Sequence, residues 1–211
     1  MQIAIIGTGN IGSALVRKWS AAGHHIFLGV RDTGNFKGKD LLNEKNVRAY
    51  PIREAVEKAE VILIAVPSIA TADIAKALGN VKGKVIIDAM NSLRAGPEGY
   101  KDTFEALKDL CKDAEIVKCF NITGFENIQN PVYHLANPIP HDVVLDMFVA
   151  GSSAKGKQVA TQLSLDAGFA NCYDFGGDDK VPLIEQFAFC WINLAIMQGQ
   201  GRNIGFKLIK R

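Results

Sequence analysis

The feature that most constrains this chain is a glycine-rich stretch close to its first residue. A short apolar run from Ile3 to Ile6 leads directly into the hexapeptide G-T-G-N-I-G at positions 7–12. Apolar residues then recur at positions 11, 14, 15 and 19, which is the spacing of a helix that buries one face. A strand, a G-x-G-x-x-G turn and a helix in this order are the fingerprint of a dinucleotide-binding unit.

Each glycine of the hexapeptide has its own expected role. Gly7 allows the tight turn out of the strand, and Gly9 has no side chain, so that the backbone can approach a pyrophosphate. Gly12 lets the helix pack closely on the strand. The N-terminus of the helix then presents unpaired N–H groups and the positive end of its dipole to the phosphate oxygens. The alternative is an ordinary strand-to-helix turn that binds no ligand.

Strands and helices alternate along the first 122 residues. Positions 61–66 are apolar without alternation, as expected of a parallel strand that is covered on both faces. Six strands joined by helical crossovers predict an α/β fold, a doubly wound parallel sheet of the Rossmann NAD(P)-binding type. The predicted strands are 3–6, 25–30, 47–50, 61–66, 84–89 and 116–121, and the predicted helices are 38–45, 51–59, 71–78 and 100–111.

Beyond Asn121 the pattern changes. We expect residues 1–122 to form the dinucleotide-binding domain and residues 123–211 to form a small C-terminal α/β extension packed on it. Prolines and asparagines predict a long loop over residues 123–142, which is followed by a strand at 147–151, a helix at 154–167 and a strand at 171–174. The last helix, residues 183–198, is apolar nearly all round, so it must be buried by the sheet, by a second subunit or by both.

Composition bounds the partners that we expect. The chain has 211 residues, 48% of them hydrophobic and 22% charged, with a net charge of +2. A nearly neutral balance argues against a nucleic acid or a membrane surface as the main partner, and no apolar stretch approaches the length of a membrane span. The four cysteines lack any C-x-x-C pairing, and we expect reduced thiols in a cytoplasmic protein.

Several motifs accompany the hexapeptide: K-C-F-N at 118–121, F-V-A-G at 148–151, E-Q-F-A at 185–188 and G-x-G-x-x-x-G-F-K at 199–207. With them the chain resembles the NADP oxidoreductase family typified by the coenzyme F420-dependent enzymes, whose dinucleotide domain is also similar to that of the STEAP metalloreductases. The resemblance implies reversible hydride transfer between the nicotinamide of NADP and a deazaflavin. Archaeal members of the family carry an additional glycine in the first loop, which this chain lacks, and residues 123–142 match no part of the family pattern. These two departures leave the acceptor open.

The end of the second predicted strand decides which dinucleotide binds. An NAD site places an acidic side chain there to accept hydrogen bonds from the ribose 2′-OH. Here Arg31 occupies the place, and its guanidinium suits a 2′-phosphate, which a carboxylate would repel. Asp32 could serve a ribose hydroxyl, but an Asp that opens a D-T-G-N turn needs no ligand to explain it. We therefore favour NADP.

Other candidate residues follow the carboxyl ends of strands, where ligands bind in open α/β sheets. Pro67 offers an apolar wall with a carbonyl facing the cofactor, and the amide of Asn91 or Asn121 could meet the nicotinamide carboxamide. Either Asn could instead bond its own loop, and Asp88 is either a general acid or a turn former, which we favour. We predict no catalytic side chain and no metal site. The predicted cofactor-binding residues are Gly7, Thr8, Gly9, Asn10, Ile11, Gly12, Arg31, Val66, Pro67, Ser68, Asn91 and Asn121.

Three functions remain open from the sequence. The first is an NADPH-dependent reductase that uses coenzyme F420 or a flavin as acceptor. Its chemistry depends on the orientation of the two rings and the exclusion of water more than on acid–base groups. The second is a reductase of a small keto or imino acid, which is less favoured because such relatives usually append a long helical domain with a catalytic lysine. The third is a non-catalytic NADP sensor. We also expect a homodimer in which the helix at 183–198 contributes to the interface.

Overall fold

The computed structural model describes residues 1–92, 95–136 and 141–210. The strands within these ranges are β1 (Gln2–Ile6), β2 (His25–Val30), β3 (Val47–Pro51), β4 (Val61–Ile64), β5 (Val85–Asp88), β6 (Glu115–Cys119), β7 (Val132–Leu135), β8 (His141–Val144), β9 (Met147–Ala150) and β10 (Cys172–Gly176). The α-helices are α1 (Asn10–Ala21), α2 (Ile52–Lys58), α3 (Thr71–Ala77), α4 (Thr103–Leu110), α5 (Phe125–Gln129), α6 (Ala154–Asp166) and α7 (Val181–Ile192), and a π-helical turn, Asn193–Met197, continues α7.

Eight strands form one sheet in the order β10-β9-β6-β5-β4-β1-β2-β3. The neighbours are parallel except β6 and β9, which run antiparallel with Lys118 opposite Ala150. Strands β1 to β6 thus have the doubly wound 3-2-1-4-5-6 order, in which the strand order reverses between β1 and β4. The fold class predicted from the sequence is confirmed. Of the C-terminal strands, β9 and β10 continue the same sheet, whereas β7 and β8 pair with each other in a separate two-stranded sheet. The expected division into two domains at residue 122 stays a prediction.

Helices cover both faces of the sheet, and the side-chain alternation of β6 shows which helices share a face. Lys118 points towards α4 and α7, where it bonds Thr103 and Glu185. The next residue, Cys119, points the other way, towards Ser164 of α6. The indole of Trp19 on α1 joins that second face, because it donates a 2.8 Å hydrogen bond to the carbonyl of Leu163.

Local sequence explains where the central elements begin and end. All four residues of β4 are buried, as expected of a parallel strand between two layers of helix, but the strand ends at Ile64 rather than at Val66. Asp102 caps α4 by accepting a 2.7 Å hydrogen bond from the Glu105 N–H, and Ser153 caps α6 in the same way. The helix predicted over 38–45 is a shorter 3-10 helix, Lys39–Asn43.

The long loop predicted over residues 123–142 is wrong for the part that the structure describes. Helix α5 and strand β7 lie within it, and β7 pairs with β8 in an antiparallel hairpin. Valine and tyrosine at positions 132, 133, 143 and 144 have the β-propensity that makes these strands, whereas the prediction weighed the prolines more. Pro138 and Pro140, on which it also rested, lie outside the described residues.

The apolar C-terminal helix is longer than the sequence analysis expected. It begins at Val181 instead of residue 183 and runs on through the π-helical turn to Met197. With the short 3-10 turn before it, the stretch Asp178–Met197 has the length and composition to cross a membrane, so the expectation that no apolar stretch approaches that length is wrong. Core helices of soluble proteins pass the same test.

Candidate functional site

The glycine-rich turn between β1 and α1 has the geometry that a phosphate cradle requires. Gly7 has φ +110°, and a Cβ there would lie 2.4 Å from the Ala65 carbonyl oxygen, so only glycine fits. A Cβ on Gly12 would lie 1.9 Å from the Gly7 carbonyl oxygen, because α1 touches the turn. A Cβ on Gly9 would meet nothing within 4 Å, and no side chain caps α1. The first N–H groups of α1 therefore face open space of the kind that a pyrophosphate fills.

The carboxyl ends of the strands bring most of the remaining predicted residues together. They line a cleft of about 700 Å³ beside the glycine turn. A separate depression of about 490 Å³ lies at the opposite edge of the sheet, around Met1 and Glu60, and holds none of the predicted residues. The predicted residues that line the cleft are Asn10, Ile11, Val66, Pro67, Ser68, Asn91 and Asn121.

Asn91 and Asn121 form a locked pair at the ends of β5 and β6. The amide of Asn91 donates a 2.9 Å hydrogen bond to the Asn121 carbonyl oxygen, and its Oδ1 accepts a 3.0 Å bond from Asn121 Nδ2. Asn121 is only 5% exposed, and its Oδ1 has no hydrogen-bond partner among the described residues. An unpaired buried acceptor is costly, and the NH2 of a nicotinamide carboxamide would satisfy it.

The backbone just before Asn121 is in an uncommon conformation. Phe120 has φ +66°, the left-handed region that bulky residues rarely adopt. Its ring is fully buried and meets the Trp19 ring edge to face, with 5.5 Å between the centroids. The packing of the aromatic ring thus holds the turn that leads into Asn121, which lines the cleft. Strained backbone of this kind is concentrated at functional sites.

Two other predicted residues direct a polar group to the backbone of the protein: Pro67 within its own loop, and Ser68 to the loop after β5. The carbonyl of Pro67, expected to face the cofactor, accepts a bond from the Ala70 N–H and so begins a 3-10 turn. The hydroxyl of Ser68 donates to the Ala95 carbonyl. Both residues still line the cleft, where the Pro67 ring supplies apolar surface.

Arg31 lies outside the cleft, at the end of β2. It is exposed and makes no ion pair or hydrogen bond with the part of the chain that the structure describes. Asp32 is used locally instead, since its Oδ1 accepts bonds from the N–H groups of Gly34 and Asn35 at 2.8 and 3.3 Å. The guanidinium is therefore free to bind a 2′-phosphate, and the following loop also carries an exposed lysine, Lys37.

That loop is fastened to the glycine turn. The hydroxyl of Thr8 donates to the Lys37 carbonyl, which joins the predicted pyrophosphate region to the loop after β2. The sequence analysis did not assign Lys37 to the site, because a lysine in a turn carries no motif. The contact with Thr8 places the Lys37 backbone beside the glycine turn.

The opposite wall of the cleft comes from α7, which the sequence analysis did not assign to the site. Ala188, Phe189, Ile192 and the following turn present a continuous apolar surface towards the asparagine pair. These residues lie far along the chain from the glycine turn and carry no nucleotide-binding motif. The sequence predicted the helix itself from its apolar residues, and the motifs at 185–188 and 199–207 linked it to the family, but none of these signals showed which residues line the cleft.

Arg202 is the one ionisable side chain among the described residues that line the cleft. Its guanidinium centre lies 5.4 Å from the Trp191 ring centroid and 5.6 Å from that of Phe125, and it is ion-paired with Glu126. Burial raises the pKa of the Glu126 carboxyl, but the hydrogen bond and charge of Arg202, together with a bond from the Glu126 backbone, lower it by more, so the net shift is downwards. The pair fastens the segment after α7 across α5 at the mouth of the cleft.

A buried ionic cluster lies beneath the cleft, and we call Asp88, Thr103, Lys118 and Glu185 the Lys118 cluster. Lys118 Nζ donates to Asp88 Oδ2 at 2.9 Å, to Thr103 Oγ1 at 3.0 Å and to Glu185 Oε1 at 2.6 Å. Burial alone lowers the pKa of this ammonium, but the two carboxylates raise it by more, so the net shift is upwards and Lys118 stays charged. Removing one partner from such a buried pair typically costs about 3–5 kcal/mol.

Comparisons with known proteins agree with the resemblance found in the sequence. The family model described as NADP oxidoreductase, coenzyme F420-dependent, matches residues 2–92. An F420-dependent NADP reductase from Methanothermobacter marburgensis is 25% identical over 224 residues, which cover 99% of this chain and 98% of that protein. The resemblance to this family is confirmed.

Solved structures show the same fold. One, from Arthrobacter sp. FB24, is provisionally assigned as an F420-dependent NADP-reductase; it has a TM-score of 0.83 at 21% identity, and all of both chains is covered. A reductive aminase from Aspergillus terreus, in complex with NADPH and ethyl levulinate, has a TM-score of 0.67 at 16% identity. The match covers 94% of this chain but 62% of the aminase.

We predict that Gly9→Val abolishes nucleotide binding in a folded protein. The side chain would stand in the open space before α1, so NADPH affinity should fall at least about a hundredfold. Gly12→Ala is the contrasting variant, since its Cβ would meet the Gly7 oxygen and should lower the free energy of unfolding by about 1–3 kcal/mol. Calorimetric titration with NADPH and circular dichroism measure both. Retained binding by Gly9→Val would show that the turn is only structural.

We predict that NADPH binds better than NADH and that Arg31→Ala removes much of the difference. A charge-assisted bond to the 2′-phosphate contributes roughly 1.5–3 kcal/mol, or about tenfold to a hundredfold in affinity. Titration of both nucleotides against both proteins measures it. Arg53→Ala is a matched control, because that exposed arginine lies on α2 beside Gly79. Equal affinities in the wild-type protein would assign the site to NAD and give Asp32 the ribose.

Proposed function

Because the chain is an NADP-dependent oxidoreductase whose residues 2–92 match the coenzyme F420-dependent family, we propose that it transfers a hydride between NADPH and coenzyme F420 or another flavin-like ring. The observation that carries this proposal is the shape of the cleft. One side holds the asparagine pair that suits the nicotinamide carboxamide, and the apolar surface of α7 faces it. A flat, largely apolar ring system of the acceptor fits between them.

The lining of the cleft suits hydride transfer that needs no protein acid or base. NADPH supplies the hydride when it is bound, and the residues of the chain orient the two rings and exclude water. Asn121 Oδ1 fixes the carboxamide and hence which face of the nicotinamide is presented to α7. The side chains of Phe189, Ile192 and Ile196 keep the space beside that face dry.

The same lining disfavours reduction of a small keto or imino acid. Hydride addition to a carbonyl or imine leaves a strongly basic oxygen or nitrogen that must receive a proton inside the site, whereas a flavin-like ring that accepts a hydride becomes a delocalised anion that can take its proton from water afterwards. Among the described lining residues, the groups that can donate a proton are the hydroxyls of Ser68 and Thr123 and the Arg202 guanidinium. Ser68 is bonded to Ala95, and Arg202 is paired with Glu126.

NADPH oxidation at 340 nm tests the proposal directly. We expect turnover with F420, or with FMN or riboflavin, and none with a panel of keto acids and cyclic imines. Ile196→Glu should lower kcat/KM for the acceptor at least about tenfold, since it puts a charge on the apolar wall, and should leave NADPH affinity unchanged. Leu165→Glu on α6 is the control, because Leu165 is 43% exposed against 47% for Ile196 and does not line the cleft.

Turnover with imines alone would assign the chain to the second function considered from the sequence. NADPH binding without turnover on any acceptor would instead favour an NADP sensor. Equal losses of kcat/KM in Ile196→Glu and Leu165→Glu would show that the apolar wall is not part of the acceptor site.

We further propose a homodimer formed through α7. Leu183, Phe189, Leu194, Ile196 and Met197 are exposed, so this subunit does not bury the helix by itself. Residues 186–201 contain no charged side chain, which is unfavourable for a helix face left in water and suits an apolar, self-complementary interface. The partner would then cover the outer edge of the cleft. Cytoplasmic location, and the absence of nucleic-acid and membrane partners, stay predictions.

Light scattering across a dilution series measures the oligomeric state. We expect a dimer at micromolar concentration, with an interface on the order of 2,000 Å² or more. Leu194→Glu should produce monomers, because Leu194 is 41% exposed on the π-helical turn that continues α7 and does not line the cleft. Leu165→Glu should remain dimeric. A wild-type monomer at micromolar concentration would contradict the proposal.

A further inference from the structure

Lys118 is fully buried, and the proposed reaction gives it no part. An ammonium has three N–H donors, and all three are used inside the Lys118 cluster. The cluster carries two carboxylates for one ammonium. A buried ionic group of this kind costs free energy to desolvate and contributes little net stability compared with apolar packing, so stability does not explain its presence.

The three charged members of the cluster belong to elements whose later residues line the cleft, two on its sheet side and one on its helix side. Asp88 ends β5, three residues before Asn91. Lys118 lies on β6, three residues before Asn121. Glu185 lies on α7, one helical turn before Phe189 of the apolar wall. The cluster therefore joins both halves of the asparagine pair to the helix that faces it.

The hydrogen bond between Lys118 and Glu185 differs from the other contacts of α7 with the sheet. Val181, Ile184 and Ala188 are buried apolar side chains, whose contacts are not directional. Trp191 donates a 2.7 Å hydrogen bond to the Ile204 carbonyl, which lies in the segment after the helix and not in the sheet. A charge-assisted bond of 2.6 Å between two buried groups fixes both rotation and position along the helix axis. Misplacement of reacting groups by about 1 Å can lower a rate about a hundredfold.

We propose that Lys118 and Glu185 are positioning residues that hold the α7 wall at the distance from Asn121 at which a hydride can pass between the two rings. The proposal rests on the proposed function and assigns neither residue a contact with NADPH or the acceptor. NADPH affinity should be independent of the bond, because the glycine turn lies at β1.

Glu185→Leu and Glu185→Gln form the decisive pair. Leucine removes the bond and leaves Lys118 paired with Asp88, so that no buried charge is stranded. Glutamine keeps an oxygen that can accept from Lys118. We expect Glu185→Leu to lower kcat at least about tenfold with NADPH affinity within about threefold of wild type, and Glu185→Gln to restore kcat to within about threefold.

A control and a second measurement separate positioning from general destabilisation. Lys157→Met breaks an ion pair of 2.7 Å with Asp174, between α6 and β10, and should leave kcat unchanged. The nicotinamide fluorescence of bound NADPH reports the surroundings of the ring without any acceptor. It should change in Glu185→Leu and remain at the wild-type value in Glu185→Gln and Lys157→Met.

Two results would overturn the proposal: wild-type kcat and fluorescence in Glu185→Leu, or a loss in Glu185→Gln as large as in Glu185→Leu. Failure of the proposed function looks different, since the wild-type protein would then show no NADPH oxidation with any of the flavin-like acceptors. The fluorescence comparison would still decide whether the bond positions the α7 wall.

Discussion

Backbone touches backbone where α1 leaves the turn after β1, and the rest of the site is arranged around that contact. The Gly12 backbone lies so near the Gly7 oxygen that no Cβ fits between them. This brings the N-terminus of α1 to the carboxyl edge of the sheet at the point where the strand order reverses, between β1 and β4. A crevice opens at such a point because crossovers leave it in opposite directions. Because Gly7 and Gly12 have no side chains, the turn and the helix pack closely enough to fix where a ligand can lie.

The two sides of the cleft are held by different forces. On the sheet side, parallel pairing sets the ends of β4, β5 and β6 beside one another, and the asparagine pair is locked by two hydrogen bonds. On the helix side, α7 is held by apolar contacts together with the Lys118 cluster. The first side is therefore set by the backbone of the sheet, whereas the second depends on a few side chains far apart in the chain.

The sheet and the glycine turn could be predicted from the sequence because their signals are local. Strand β2 has the predicted bounds, and Asp32 opens the turn that its D-T-G-N sequence indicates. The α7 wall could not be predicted in the same way, because an apolar helix has no pattern that says which cleft it lines. Lys118 and Glu185 are 67 residues apart, and the sequence around either residue does not indicate which residue it bonds.

The turn at Phe120 has a thermodynamic consequence for any ligand that meets Asn121. Its left-handed backbone is unfavourable in isolation and is imposed when the Phe120 ring packs against Trp19. The Asn121 amide is therefore already ordered before a ligand arrives, with its rotamer fixed by Asn91. The conformational entropy of this group is lost when the protein folds, so its loss is not part of the free energy of binding. Ligand association at this edge should resemble the fitting of rigid parts, with a smaller entropic penalty than a mobile loop would impose.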